Sequence, residues 1–311
     1  MPINRSIEDL PRGSANSPQP NHWLATFLGD AWEGMYREHE SRERALPELP
    51  WRASQAGLRC DAQLWYALKG VPESEPPDTT AAFRMWIGKV IHDKLDTAFI
   101  SAAEGQGLDV KVEVAVDLSG IGFTGSSHAD FVMYDGDKVP LMTTDIKTVT
   151  GFPFKQRATT YGGDATGAEL GAILQSGLSA LALDAEYMGV LMISLEPVSV
   201  GIAAKNCVPG DLNRFVAVFE WRTEVWRDRI LAEIQRFHRI QRLVDEGVLP
   251  TPMIDDGELP AGAYVTDPTK GQWQTVDLRT GGVGETGKTW RCEYCRWRSQ
   301  CANDIERGEH G

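Results

Sequence analysis

The sequence lacks long apolar runs and an export signal. No stretch approaches the ~18 uninterrupted apolar residues that a membrane-spanning helix requires. The first 21 residues are polar and contain four prolines, unlike the charged and then apolar layout of a secretory signal. We therefore expect a cytoplasmic protein with no membrane segment.

Basic residues and cysteines are also scarce. The chain has 31 Lys and Arg against 44 Asp and Glu, a net charge of −13, which argues against non-specific nucleic-acid binding unless basic side chains line a local groove. Five cysteines, an odd number, argue against a disulfide framework and favour metal binding or catalysis. The 42% hydrophobic and 24% charged residues are typical of a globular chain.

Hydrophobic periodicity predicts a mixed α/β fold. Helices are predicted at Trp23–Ala45, Arg59–Leu68, Ala81–Ala103, Thr166–Leu183 and Asn213–Glu246, and strands at Val110–Val116, Ile121–Tyr134, Val139–Thr148, Met188–Leu195 and Val198–Ala204. The Gly- and Pro-rich stretch Gly247–Thr289 is predicted to be mostly loop. We expect an N-terminal arm and helix at 1–50, a core at 51–246 and a C-terminal segment at 247–311.

Three cysteines near the C-terminus form a C-x2-C-x5-C string, namely Cys292, Cys295 and Cys301. Thiols at this spacing suit one metal centre, for which Cys60 or Cys207 would supply a fourth ligand. Spacing does not separate zinc from an iron–sulfur cluster. Three unlinked structural cysteines are the alternative.

A second candidate site combines acids with a lysine. Asp145 and Lys147 are two residues apart on a predicted strand, so both side chains point to one face, and Asp130 ends a stretch on the neighbouring strand. Two carboxylates and a lysine could hold Mg²⁺ and orient a water for phosphodiester hydrolysis. Solvent-facing charges at strand ends are the alternative.

Two helical residues could complete that site. His92 lies one turn after Gly88 on the long predicted helix and could reach a metal held by the sheet, although a lone histidine is more often a satisfied core residue. Gln175 could hydrogen-bond to a ligating carboxylate or a phosphate, although most helix glutamines face solvent.

The order of these motifs along the chain resembles that of the iron–sulfur branch of the RecB-like PD-(D/E)XK nucleases. The motifs are, in order, Cys60, Gly88-x3-His92, Asp130, Asp145-Ile146-Lys147, Gln175 and the C-terminal cysteines. That branch includes the nuclease domains of AddAB-type helicase–nucleases, CRISPR-associated exonucleases and phage relatives. The resemblance implies a restriction-endonuclease-like core, a mixed β-sheet flanked by helices. It also implies a [4Fe–4S] cluster on Cys60, Cys292, Cys295 and Cys301 that joins the N- and C-terminal parts.

The resemblance also assigns roles in the site. His92, Asp130, Asp145 and Ile146 would form the ligand set of a Mg²⁺ or Mn²⁺ ion, and Lys147 would position the attacking water or steady the phosphate. Gln175 would match the first position of the family's Q-x3-Y motif. Position 179 is Ser rather than Tyr, which puts the DNA contact of that tyrosine in doubt.

The implied activity is a metal-dependent exonuclease, acting at single-stranded DNA ends in recombination, repair or phage DNA processing within a bacterium or an infected cell. A helicase or recombination protein is a possible partner. Arg291, Arg296 and Arg298, interleaved with Tyr294 and Trp297, could meet phosphates and stack on bases, or could merely shield the cluster.

Two other functions stay open: a non-catalytic, metal-stapled DNA-binding or adaptor module, and a zinc protein with an unrelated α/β fold. The string Gly282–Thr289 also fits the P-loop pattern G-x4-G-K-T. Only 22 residues follow it, too few for the further βα units that a P-loop core needs, so we interpret it as a Gly-rich loop.

Overall fold

The computed structural model describes residues 51–106, 108–151, 154–155, 170–203, 210–254, 262–264, 273–277, 283–287 and 295–310. Within them the helices are α1 (Asp61–Lys69), α2 (Thr79–Gln106), α3 (Leu170–Leu183), α4 (Val200–Ala203), α5 (Thr223–Glu246) and α6 (Arg298–Glu306). The strands are β1 (Trp51–Arg52), β2 (Asp109–Asp117), β3 (Gly125–Tyr134), β4 (Pro140–Val149), β5 (Tyr187–Ser194), β6 (Val216–Arg222), β7 (Met253–Ile254), β8 (Gly262–Tyr264), β9 (Trp273–Asp277) and β10 (Val283–Gly287). The predicted helix Trp23–Ala45 lies outside the described residues.

A six-stranded mixed sheet forms the centre of the described fold. Strand β3 pairs antiparallel with β2 along one side, and along the other it pairs with β1 and β4. Beyond β4 the sheet continues through β5, which is parallel to β4, and ends at the antiparallel strand β6. This arrangement confirms the predicted mixed α/β class.

Helix α3 packs against β4, β5 and α5. Between Leu170 and Ala180 every residue of α3 is buried except Gln175, which is half-buried. Helices α1 and α5 each end at a glycine with positive φ, Gly70 and Gly247, which tolerate the left-handed conformation that closes a helix. The apolar core therefore surrounds this part of α3 and leaves the side chain of Gln175 partly exposed.

Two predicted segments near β5 are wrong. The structure places the short helix α4 where a strand was predicted at Val198–Ala204, because β4 and β6 already occupy both edges of β5. The predicted helix Asn213–Glu246 is a 3-10 turn, the strand β6 and then α5. The apolar run of β6 leads into the helix without a glycine or proline to mark the boundary.

The predicted loop Gly247–Thr289 contains a four-stranded antiparallel sheet in the order β10-β9-β8-β7. Its strands are short, so the Gly- and Pro-rich composition hid them. Within the P-loop-like string, β10 pairs with β9 as extended backbone. The interpretation of this string as a loop is therefore wrong over Val283–Gly287, and a strand here does not form a phosphate-cradling loop.

The chain divides into two compact units, Met1–Glu48 with Pro77–Lys89, and Leu49–Pro76 with Val90–Gly311. Both sheets belong to the second unit. Among the described helices, none combines the length and apolar character that crossing a bilayer requires. The predicted boundaries after residues 50 and 246 stay predictions.

Candidate active site

The site begins where β3 and β4 separate. Their antiparallel ladder reaches Phe131 opposite Thr144 and goes no further toward Asp130. Beyond this pair, a side chain takes the place of a backbone acceptor. The N–H of Ile146 donates to Oδ2 of Asp130 at 2.5 Å. The parted strands place Asp130 and Asp145 beside each other at the same edge of the opening.

Lys147 links strand β4 to helix α3 beside this opening. Its ammonium group donates to Oδ1 of Asp145 at 3.0 Å and to Oε1 of Gln175, on α3, at 3.1 Å. The prediction that Asp145 and Lys147 point to one face is therefore confirmed as geometry. Gln175 lies among these side chains rather than on a free helix surface.

A histidine and a further acid also lie near Asp130. Nδ1 of His92, on α2, lies 3.9 Å from Oδ1 of Asp130. Ligand atoms of His92, Asp130 and Glu113, on β2, all lie within 4.8 Å of one another. Asp145 does not belong to that group of three. Asp130 nevertheless raises the pKa of Asp145 and His92 lowers it, through the charges that they carry.

Both aspartates of the site are harder to ionise than an ordinary aspartate. Burial raises the pKa of Asp130 to about 6, and the N–H of Ile146 and the ammonium of Lys147 only partly oppose this effect. Burial likewise raises the pKa of Asp145 to about 6, against the opposing charge of Lys147. A cation between these groups would favour their ionised forms.

The residues present suit a divalent cation. Carboxylate oxygens are the ligands that Mg²⁺ and Mn²⁺ prefer, and imidazole is compatible with Mn²⁺. Asp145 is 3% exposed, and its Oδ2 receives no hydrogen bond, although Nζ of Lys147 lies 2.9 Å away. Because a carboxylate oxygen has two lone pairs, this oxygen can bind a metal while it stays paired with Lys147.

Position 179 faces the core. The Ser179 hydroxyl lies 2.7 Å from that of Ser127 on β3, and Ser179 is 1% exposed. A residue this deeply buried cannot reach a bound nucleic acid. The contact expected from a tyrosine in a Q-x3-Y motif is therefore absent at this position.

The described cysteines lie at one end of α1. Cys60 precedes α1, Cys301 lies in α6, and Cys295 lies just before α6. Burial raises the pKa of the Cys60 thiol to about 12, and the neighbouring Cys295 adds to this effect. Tyr66 of α1 interacts electrostatically with both Cys60 and Cys301. Cys207 and Cys292 lie outside the described residues.

The segment around α6 is tied to the chain that follows α1. Trp297 is 6% exposed, and its indole N–H donates to the carbonyl of Val71 at 2.9 Å. Arg296 pairs with Glu73 at 2.9 Å. Trp297 is therefore too buried to stack on bases, which favours the shielding role. Arg291 and Tyr294 lie outside the described residues.

Sequence reasoning missed Glu113. The period-2 alternation of β2 marked it as a solvent-facing residue between valines. The feature that reveals Glu113 is the pairing register of β2 and β3. Val112 lies opposite Phe131 and Val114 lies opposite Ala129, so Glu113 lies opposite Asp130. That register is set by tertiary structure and could not be read from β2 alone.

Comparisons with known proteins give distant likenesses. No protein-family model matches the chain, and no curated protein matches it. The solved structures similar to it include "Crystal structure of SSO0001" (12% identity, TM-score 0.44, covering 90% of this chain and 96% of that one). An alkaline exonuclease, LHK-Exo, from Laribacter hongkongensis has 14% identity and a TM-score of 0.41, covering 64% and 91%. A phage-related exonuclease from Haemophilus somnus 129PT has 12% identity and a TM-score of 0.38, covering 63% and 82%.

Proposed function

We propose that this chain is a Mg²⁺- or Mn²⁺-dependent exodeoxyribonuclease with a restriction-endonuclease-like core that hydrolyses phosphodiester bonds at single-stranded DNA ends. The observation that carries the proposal is the position of Lys147, whose ammonium joins the buried Asp145 to Gln175 beside Asp130. A lysine between carboxylates at a strand opening is suited to meeting both a phosphate oxygen and an attacking water.

In this proposal Asp130, Asp145, His92 and the main chain of Ile146 hold the divalent cation. Such a cation, when bound, lowers the pKa of its water and offsets charge on the phosphoryl group. Lys147 orients the water or the scissile phosphate through its ammonium group. Gln175 fixes the direction of the Lys147 side chain by accepting its hydrogen bond.

We propose further that Cys60, Cys295 and Cys301, with Cys292, bind a [4Fe–4S] cluster. Cys295 is close enough to Cys60 to raise the pKa of its thiol, and Tyr66 interacts electrostatically with both Cys60 and Cys301. These interactions support one shared centre for the three thiols. Visible absorbance of protein purified without oxygen tests this, because a colourless product would indicate zinc.

The biological setting belongs to the same proposal. An exonuclease of this kind would act in DNA recombination, repair or phage DNA processing, with a helicase or recombination protein as its partner. Co-purification with a helicase from the native host would support that setting.

The decisive experiment is Lys147→Ala, assayed with Mn²⁺ on end-labelled single-stranded DNA. We expect degradation to fall at least about 100-fold, as when a charge-stabilising donor is removed from an active site. Lys138→Ala, at an exposed turn between β3 and β4, is the matched control and should degrade DNA like the wild type. Equal rates for Lys147→Ala and the wild type, with both proteins folded, would refute the assignment.

A non-catalytic DNA-binding or adaptor module is the second candidate function. The buried Ser179 in place of a tyrosine and the net charge of −13 favour it. A wild-type protein that binds single-stranded DNA with Mn²⁺ present but leaves it intact would support this candidate against the nuclease.

A further inference from the structure

The group of His92, Glu113 and Asp130 contains a ligand that the nuclease proposal does not use. Glu113 supplies a carboxylate oxygen within 4.8 Å of the other two ligand atoms. Each of the three residues comes from a different element, α2, β2 and β3, so the group is a product of the tertiary fold. Separations of this size are compatible with one cation, whose opposite ligands lie about 4.2 Å apart at Mg²⁺ or Mn²⁺ bond lengths.

Glu113 reaches this group through an irregularity in β2. Its φ is +48°, in the left-handed region that residues other than glycine rarely adopt, and no backbone pair joins it to Asp130 although the neighbouring residues pair. Across the strands, Oδ2 of Asp130 is occupied by the N–H of Ile146, whereas Oδ1 faces His92. Asp130 therefore has one oxygen committed to β4 and another directed at the group.

An independent observation also points to a ligand here. Asp145 is 3% exposed, its Oδ2 is paired with Nζ of Lys147 at 2.9 Å but receives no hydrogen bond, and it interacts with the charges of both Asp130 and His92. A positive charge near Asp130 would thus stabilise the ionised carboxylates of both Asp130 and Asp145. Lys147 provides such charge at Asp145.

We propose that Glu113 is a metal ligand, which joins His92 and Asp130 around the divalent cation of the site. Its role in cleavage rests on the nuclease function proposed above, but its binding of a cation does not. The imidazole in the donor set favours Mn²⁺ over Mg²⁺, because Mg²⁺ accepts nitrogen ligands less readily.

The test measures Mn²⁺ binding to the full chain by calorimetry and by the electron paramagnetic resonance signal of free Mn²⁺. Glu113→Gln removes the negative charge and keeps the side-chain length. Glu113→Gly removes the ligand and relaxes the positive φ, so it guards against a variant that merely fails to fold. Glu220→Gln, an exposed glutamate on the far edge strand β6, is the matched control.

We expect both Glu113 variants to bind Mn²⁺ at least about tenfold more weakly than the wild type, and Glu220→Gln to bind it like the wild type. Wild-type affinity in a folded Glu113→Gln or Glu113→Gly protein would overturn the proposal, and so would a wild type that binds no Mn²⁺. Glu113-dependent Mn²⁺ binding by a wild type that never cleaves DNA would support the metal site and refute the nuclease function.

Discussion

At the scale of single residues, the site depends on carboxylates that the fold buries and then only partly neutralises. Asp130 has the amide of Ile146 and Asp145 has the ammonium of Lys147, and yet burial raises the pKa of each to about 6. Their ordinary value in the absence of burial is 3.8. Protonation would therefore compete with the proposed cation for the same oxygens.

This competition predicts how pH changes stability. Because the two folded-state pKa values are raised, the stability they contribute without metal is present below about pH 3.8 and lost as the pH rises through about 6. The proposed cation would reverse that loss by holding both carboxylates ionised. We expect Mn²⁺ to raise the thermal midpoint more at about pH 7.5 than at about pH 5.

Differential scanning fluorimetry with and without Mn²⁺ measures both shifts. Asp145→Asn is the control, because it removes one of the two titrating groups and should reduce the difference between the two pH values. A shift that is larger at the lower pH would contradict the competition.

At the scale of elements, the position of Gln175 is set by how closely α3 approaches the 3-10 helix Ala53–Gly57. A Cβ added to Gly171 would lie 2.5 Å from Cα of Gly57 and 3.4 Å from the carbonyl oxygen of Ala56. Both of these atoms belong to the backbone, which cannot rotate away as a side chain can. The small residue at 171 is thus a requirement of packing one turn before Gln175.

Gly171→Ala should lower the free energy of unfolding by about 1–3 kcal/mol, because the 3-10 helix must shift to admit the methyl group. The matched control is Gly201→Ala in α4, where an added Cβ meets nothing within 4 Å. There alanine should be neutral or stabilise by up to about 1 kcal/mol, since glycine is the poorer helix former. Urea unfolding compares the two, and equal effects at both positions would show that packing against Gly57 is not limiting.

At the scale of the whole molecule, a buried ion network joins the segment that carries Cys60 to α5. Glu233 of α5 accepts from both Arg59 and Arg236 at 2.8 Å, and Arg236 also contacts Asp61 at 2.8 Å. Arg59 and Glu233 are 1% and 3% exposed. The pairs Arg59–Glu233 and Arg236–Asp61 connect residues more than 170 positions apart in the chain.

Glu233→Ala should lower the free energy of unfolding by about 3–5 kcal/mol, because it leaves buried guanidinium groups without the carboxylate they share. Glu224→Ala, at a surface ion pair on the same helix with a side chain 77% exposed, should leave stability nearly unchanged. Chemical unfolding of both variants checks the difference. A small effect of Glu233→Ala would mean that water or neighbouring groups solvate the network.

Several features of the fold and the site followed from local sequence. The i, i+2 spacing of Asp145 and Lys147 in an apolar strand required a common face, and the four-residue apolar spacing predicted the helix that carries His92. The alternation of β2 predicted a half-buried strand, which the structure confirms. The sequence did not predict the short strands β7–β10, because their Gly- and Pro-rich surroundings indicate a loop. It did not predict the boundary between β6 and α5 either, because no glycine or proline marks it.

The sequence by itself determined which chemical groups are available and which face of its own element each one occupies, since those properties depend on neighbours a few residues away. Only the tertiary structure decided that β3 and β4 part at Asp130, that Glu113 stands opposite it, and that Ser179 turns into the core. Each of these depends on pairing register or packing between distant segments. A register shift of one residue would send the same side chains to the opposite face of the sheet, and no local pattern fixes that choice.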